Sequence, residues 1–293
     1  MKVTWVQYQQ YSGCKISGTV PVPKPSNKLH MERAYYLTAM IEAPTYGAIN
    51  SYDGTGMSGG PLHNIAVYPS DLEQGSLFYL LRKIKETVTS VPAIIALEKA
   101  YYEQKWYLAS DGKLRTLGSA TLVKGKNIRD IFTPPEGRVP KTGPLWETAK
   151  KWAILHYNVL SAPATFETQK NFAIDWLIAT QKETEDLFYQ GRDVKKLSID
   201  NLPLEEDLAL CVYHCYSVNA PAPAKTELLD ALKRSQRGAQ FAKVLIAELA
   251  KNTFGNWENR YVRTRNEALK SGLWPSEFFN GPKAIFPAER LTV

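Results

Sequence analysis

Two carboxylates, Glu42 and Asp53, are of a type that can do acid–base chemistry. Glu42 closes a helix-patterned run, and Asp53 follows eleven residues later in a stretch dense in Gly, Ser, Asn and Tyr. Glycosidic cleavage needs one carboxylic acid to protonate the leaving oxygen. It also needs a second carboxylate, acting as base for water or as nucleophile. Glu42 is placed for the first role. Pro44 biases Ala43 out of the α region, so the helix stops beside Glu42. The negative end of the helix dipole then favours the protonated carboxyl, as a general acid near neutral pH requires. Asp53 is placed as base or electrostatic stabiliser. The plainer alternatives stay open: Glu42 as a solvated surface carboxylate, and Asp53 before Gly54 as an ordinary turn residue.

The neighbouring side chains have the same double character. Tyr46 and Tyr52 can stack on sugar rings or simply pack. Ser51 and Ser58 can orient a water or cap a turn, and His63 and His214 read equally as structural histidines. No Ser-His-Asp spacing, phosphate loop or HExxH run is present, which removes most competing enzyme classes. Cys14, Cys211 and Cys215 are an odd count at low density, against a disulfide framework. Cys211 and Cys215, four apart with His214 beside them, lack the second Cys/His cluster of a tetrahedral zinc site and read as buried thiols. No metal or cofactor is expected.

The elements that would position these groups are mostly helical. Ala34, Leu37, Thr38 and Ile41 share one face of a helix over 31–42. Asp53-Gly54 and Gly59-Gly60 are turn signals, and Ala48–Tyr52 reads as a short strand. Leu72, Leu77, Leu80, Leu81 and Ile84 form one stripe, and Ile94, Leu97, Ala100 and Tyr101 another, divided by Pro92. Further helices are expected from Leu145 to Val159, around Phe172 and Trp176, and over 203–216, 225–234, 236–251 and 257–270. The Gly- and Pro-rich region 107–144, with a strand at Leu117–Val123, reads as an inserted loop or loose boundary. Residues 1–29, with Pro21, Pro23 and Pro25, read as an extended N-terminal arm carrying one strand, and 30–293 as a single domain. The aromatic tail GLWPSEFFNGPKAIFPAE is expected to wrap the body.

Composition sets the outer limits. Apolar residues at 44% and charged residues at 22% are globular values, not disordered or fibrous ones. No apolar run is long enough for a membrane span, and the first 30 residues lack a secretory signal's apolar core, so synthesis in the cytoplasm is expected. The net charge of +7 favours anionic partners such as nucleic acid, a wall polymer or a membrane surface, yet its dispersal also fits simple solubility.

A helix ending on Glu and followed by a short polar β-like segment resembles the lysozyme-like superfamily, which includes goose-type lysozymes, lytic transglycosylases and phage cell-wall enzymes. The resemblance is carried by Arg33-Ala34, Ile41-Glu42, Tyr46-Gly47-Ala48-Ile49-Asn50, Tyr52-Asp53-Gly54, Gly56 and Ser58-Gly59-Gly60-Pro61-Leu62. Transglycosylases have Glu-Ser and then Gly-x-x-Gln. Here Ala43-Pro44 follows Glu42, and His63 stands near the Gln position. Downstream, the segment from Tyr216 to Ala224 is similar to the transglycosylase Tyr-Asn-Ala-Gly-Pro segment, with Asn219 as the residue that carries over. The resemblance covers roughly 30–68 and 205–270.

It implies a mainly α (α+β), lysozyme-like helical body with a small β segment beside the catalytic Glu. Glu42 would be the acid and Asp53 the second carboxylate. Tyr46, Asn50, Tyr52, Ser58, His63 and Asn219 would bind substrate. The implied activity is cleavage of peptidoglycan glycan strands by a hydrolase, or by a transglycosylase using Glu42 alone. Without a signal peptide, the implied setting is a phage endolysin, a virion-borne enzyme or an effector passed through a secretion machine. A non-catalytic virion component is one alternative. A nucleic-acid binder using Trp257, Arg260, Tyr261, Arg263, Arg265 and Lys270 is another, although Glu258 and Glu267 interrupt that basic run.

Overall fold

The computed structural model describes residues 1–26, 29–52, 54–88, 91–133, 138–189, 202–251 and 257–288, with side chains omitted at 180–189 and 257–259. Among the described residues are ten α-helices and nine short strands, so the protein is mixed α+β and mainly helical. None of the described helices is long and apolar enough to cross a membrane. The chain forms two compact units, one of 1–22 with 43–172 and the other of 23–42 with 173–293.

The first unit is built on a five-stranded antiparallel sheet, ordered β1-β2-β5-β6-β7. Strands β1 (Val3–Tyr8) and β2 (Tyr11–Ile16) form a hairpin in register Val3↔Ile16. The short strands β3 (Val20–Pro21) and β4 (Thr45–Tyr46) pair separately. The N-terminal segment expected to hold one strand therefore holds three. Next come β5 (Ile49–Asn50), β6 (Ser58–Gly59) and β7 (Asn64–Ile65), each only two residues long. Strands this short depend on neighbours. The Ser51 amide donates to Cys14 O at 2.8 Å, and the Ser51 hydroxyl accepts from the Cys14 amide at 3.0 Å. Gly59 packs closely: a Cβ there would lie 2.7 Å from Leu160 Cδ1, so a larger residue would push that leucine side chain aside.

Helices α2 (Ser76–Thr87), α3 (Pro92–Glu103), α4 (Gly125–Phe132) and α5 (Pro144–Leu160) complete this core. Its centre is aromatic. Trp152 stacks on Tyr101, and Phe132 meets the Trp152 ring edge-on. Buried His156 receives the Tyr101 hydroxyl at 2.8 Å on Nε2. Its Nδ1 lies 2.9 Å from Trp152 O, which can only accept, so Nδ1 carries the proton. The expected insertion at 107–144 belongs to this core. Strands β8 (Trp106–Leu108) and β9 (Leu114–Thr116) form a hairpin, and Phe132 and Val139 are buried. Buried Gln74 donates to Leu114 O and Val123 O and accepts from the Leu114 amide, fixing the hairpin. The strand expected at Leu117–Val123 is instead a turn with one bridge, Arg115↔Leu122.

The second unit is helical and centred on α7 (Leu204–Ser217), every residue of which from Glu206 to Ser217 is buried. The run LALCVYHC has no polar face, the pattern of a helix enclosed on all sides. Helix α1 (His30–Glu42) packs on it with α8 (Pro221–Arg234) and α9 (Ala239–Lys251), and α10 (Trp257–Ser271) packs on α1. Helix α8 starts at Pro221, four residues before the expected start, because proline fits a helix's first turn. Helix α6 (Phe166–Tyr189) carries the chain from the first unit into the second. The tail packs Phe278, Phe279, Ile285 and Phe286 into the core, and Tyr261 of α10 donates to Pro287 O at 2.9 Å.

Candidate functional site

Each unit holds part of the expected residue set. In the second unit, Glu42 is the last residue of α1, and its side chain is 8% exposed. The exposed Asn219, just past α7, donates its amide to Glu42 Oε1 at 2.8 Å. Two residues that the sequence singled out, 177 positions apart, thus meet. Arg260 of α10, which sequence reasoning did not place here, forms an ion pair with the same Oε1 and donates to Cys215 O at 2.6 Å. The dipole at the end of α1 opposes negative charge on Glu42, while the guanidinium favours it. At contact distance a full charge outweighs a helix end.

In the first unit, Asn50, Ser58 and His63 gather on β5–β7. The Asn50 amide donates to His63 Nε2 at 2.9 Å. His63 takes φ +48, a left-handed backbone unusual for a residue with a β-carbon, and its amide donates to Gly60 O at 3.0 Å. Ser58 is 1% exposed, and its hydroxyl has no hydrogen-bond partner among the described residues. Tyr52 is half-buried in a bend beside them in sequence. Tyr46, expected to face a sugar, is buried, with its ring stacked 4.1 Å from that of Phe166. That face is used for packing. Asp53, the expected second carboxylate, lies outside the described residues.

The charged centre of the second unit is another group. Asp207 accepts from His30 Nδ1 at 2.7 Å, Arg33 at 2.8 Å and Trp274 at 2.6 Å. Burial alone would raise this carboxyl, but hydrogen bonds and charge from His30, with Arg33 and Trp274, outweigh it and hold it below the ordinary range. Cys211 Sγ is 3.7 Å from His30 Nδ1, and the donor atoms of His30, Asp207 and Cys211 lie within 4.8 Å of one another. Arg33 already neutralises Asp207 and would repel a cation there, so this geometry is that of an ion-pair hub joining α1 to α7. Its one sequence signal was an aspartate leading into an otherwise apolar helix. The thiols are unreactive. Burial pushes Cys14 up to about 11 and Cys215 up to about 12, and raises Cys211 well above its ordinary value.

The basic run on α10 is divided between the inside and the surface. Arg265 is buried and donates to Phe286 O and Phe279 O, and Arg260 is committed to Glu42. Arg263 and Lys270 are exposed. The side chain of Trp257 lies outside the described residues. A nucleic-acid face loses two of its four described cations this way.

No protein-family model, curated protein or solved structure matches the chain.

Proposed function

We propose that the protein cleaves the glycan strand of peptidoglycan, with Glu42 as general acid and a lysozyme-like arrangement around it. The observation that carries this reading is the convergence of Asn219 on Glu42 at the end of α1. A carboxyl that must give a proton to a glycosidic oxygen has to be held in one orientation, and a fixed side-chain amide does that. The net charge of +7 suits an anionic wall polymer. Delivery by a phage particle or a secretion machine is part of the same proposal. Glu42 would protonate the leaving oxygen. Water activated by a second carboxylate, or the sugar's own hydroxyl, would complete the displacement.

A non-catalytic virion or wall-binding component is the second reading, and the Arg260 ion pair favours it, since the pair also serves as a structural tie between α1 and α10. Release of soluble fragments from purified peptidoglycan, read by mass, separates the two. Cleavage predicts release by the wild type and at least a 100-fold loss in Glu42→Gln, with the variant still folded. Reducing ends would mark a hydrolase, and anhydro ends a transglycosylase. Equal release by both proteins, or none on several wall types, removes Glu42 as the acid.

A further inference from the structure

We propose that the open edge of β1 pairs with the same edge of a second copy of this chain, joining two five-stranded sheets into one. The inference is independent of the cleavage reading. Strand β1 runs six residues, VTWVQY, in unbroken register with β2 from Val3↔Ile16 to Tyr8↔Tyr11. Its backbone groups alternate in direction. Cys14 of β2 turns its amide and carbonyl to Ser51, and Ser12 O accepts the Val139 amide, so both residues face away from β1. Their cross-strand mates, Trp5 and Gln7, therefore direct N–H and C=O away from β2, and the alternation adds Val3. Among the described residues, β2 is the only strand paired with β1, and no other backbone hydrogen bond takes up the outward groups of Val3, Trp5 and Gln7.

Sheet edges are normally blunted by charge, proline, a bulge, shortness or a covering element. The other edge, β7, is two residues long and has α2 packed against it. Between Val3 and Tyr8, β1 carries no charged residue, no proline and no bulge. A strand uncharged along its length accepts its own copy without opposing like charges. The open groups also fix the geometry. Val3, Trp5 and Gln7 must meet the outward residues of the other copy, which sets a two-fold axis through the Trp5 pair. Trp5 then exchanges hydrogen bonds with Trp5 of the other copy, and Val3 with Gln7 on either side. In that register every open group on both strands finds a partner. Thr4 lies opposite Val6 of the other copy in a non-hydrogen-bonded pair. Lys2 lies opposite Tyr8 rather than a second lysine, and Lys141 is already seated over its own Trp5 ring at 4.7 Å.

Sedimentation equilibrium of the full chain over a wide concentration range is expected to show reversible monomer–dimer exchange. Gln7→Pro removes one outward N–H per copy and sets a ring on the edge, while leaving the bonds to β2 in place. It should weaken dimerisation on the order of 30-fold, from two lost hydrogen bonds, with the urea midpoint kept. Gln7→Thr, which keeps the N–H, should dimerise as the wild type does. Oxidative crosslinking reads the register. Residues opposed in a non-hydrogen-bonded pair stand ~4.5 Å apart between Cα atoms, within disulfide reach, whereas Thr4 of one copy and Thr4 of the other are displaced along the strand beyond it. Thr4→Cys mixed with Val6→Cys should therefore crosslink, and neither variant should do so alone. The native thiols Cys14, Cys211 and Cys215 are buried and stay silent. A chain that stays monomeric at every concentration overturns the proposal. So does a dimer that Gln7→Pro leaves as tight as the wild type, or one in which the mixed variants fail to crosslink.

Discussion

His63 shows what a single residue can reveal. A left-handed backbone costs a residue with a β-carbon about 1–2 kcal/mol, and glycine would occupy φ +48 without that cost. Against the extra freedom glycine brings to the unfolded chain, His63→Gly made in an Asn50→Ala background, which removes the hydrogen bond to the imidazole beforehand, is expected to stabilise the first unit by about 0.5 kcal/mol, read as a higher urea midpoint. The imidazole at this position accepts the Asn50 amide. A lower midpoint would remove the strain argument. At this scale the sequence was informative where residue type alone signals a role. The Glu42–Asn219 pair was legible because each ends or follows a helix in a recognisable pattern. Arg260 was not, because it lies 218 positions from Glu42 and reads as one more arginine on an amphipathic helix. Tyr46 misled for the same reason, since Phe166, which covers its ring, lies far along the chain.

At the scale of elements, α1 is held to α7 by charge as well as by packing. Asp207→Asn would leave Arg33 buried without its counter-charge, and should cost the second unit about 3–5 kcal/mol in urea unfolding. A change under about 1 kcal/mol would mean that solvent reaches the hub. Because α1 ends on Glu42, loosening it also moves the proposed acid, so fragment release should fall more than the folded fraction does. The helices were legible from periodicity, often within a residue or two of their observed ends, because 3.6-residue stripes of Leu, Ile and Ala are local signals. The strands β5, β6 and β7 were not resolved one by one. Two-residue strands carry no alternation to read, and their hydrogen bonds come from distant places such as Cys14. Region 107–144 looked loose because Gly and Pro punctuate it, yet Gln74, outside the region, ties it down with a single amide.

At the scale of the whole molecule, each unit contains a buried neutral histidine, and acid should weaken both. Desolvation lowers His156 in the first unit to about 4, and desolvation with the nearby His30 lowers His214 in the second to about 3. In the unfolded chain both titrate near 6.5. A depressed folded value means that the unfolded state takes up the proton first. The stability is then complete above about pH 6.5 and is lost as pH falls from there towards the folded values. The loss by pH 5 is about 2 kcal/mol per histidine, whereas the Asp207 contribution fades only below the ordinary aspartate range. Hydrogen exchange of α5 and α7 amides between pH 7 and pH 5 reports the two units separately. Protection should fall in both, and His156→Gln should flatten the α5 profile while leaving α7 sloping. Protection in α5 and α7 that does not change with pH would mean that these histidines are already charged or hydrated in the fold. The same slope limits the proposed chemistry. A general acid gains from low pH, but here the scaffold weakens in the range where an ion-paired carboxylate would start to protonate unaided.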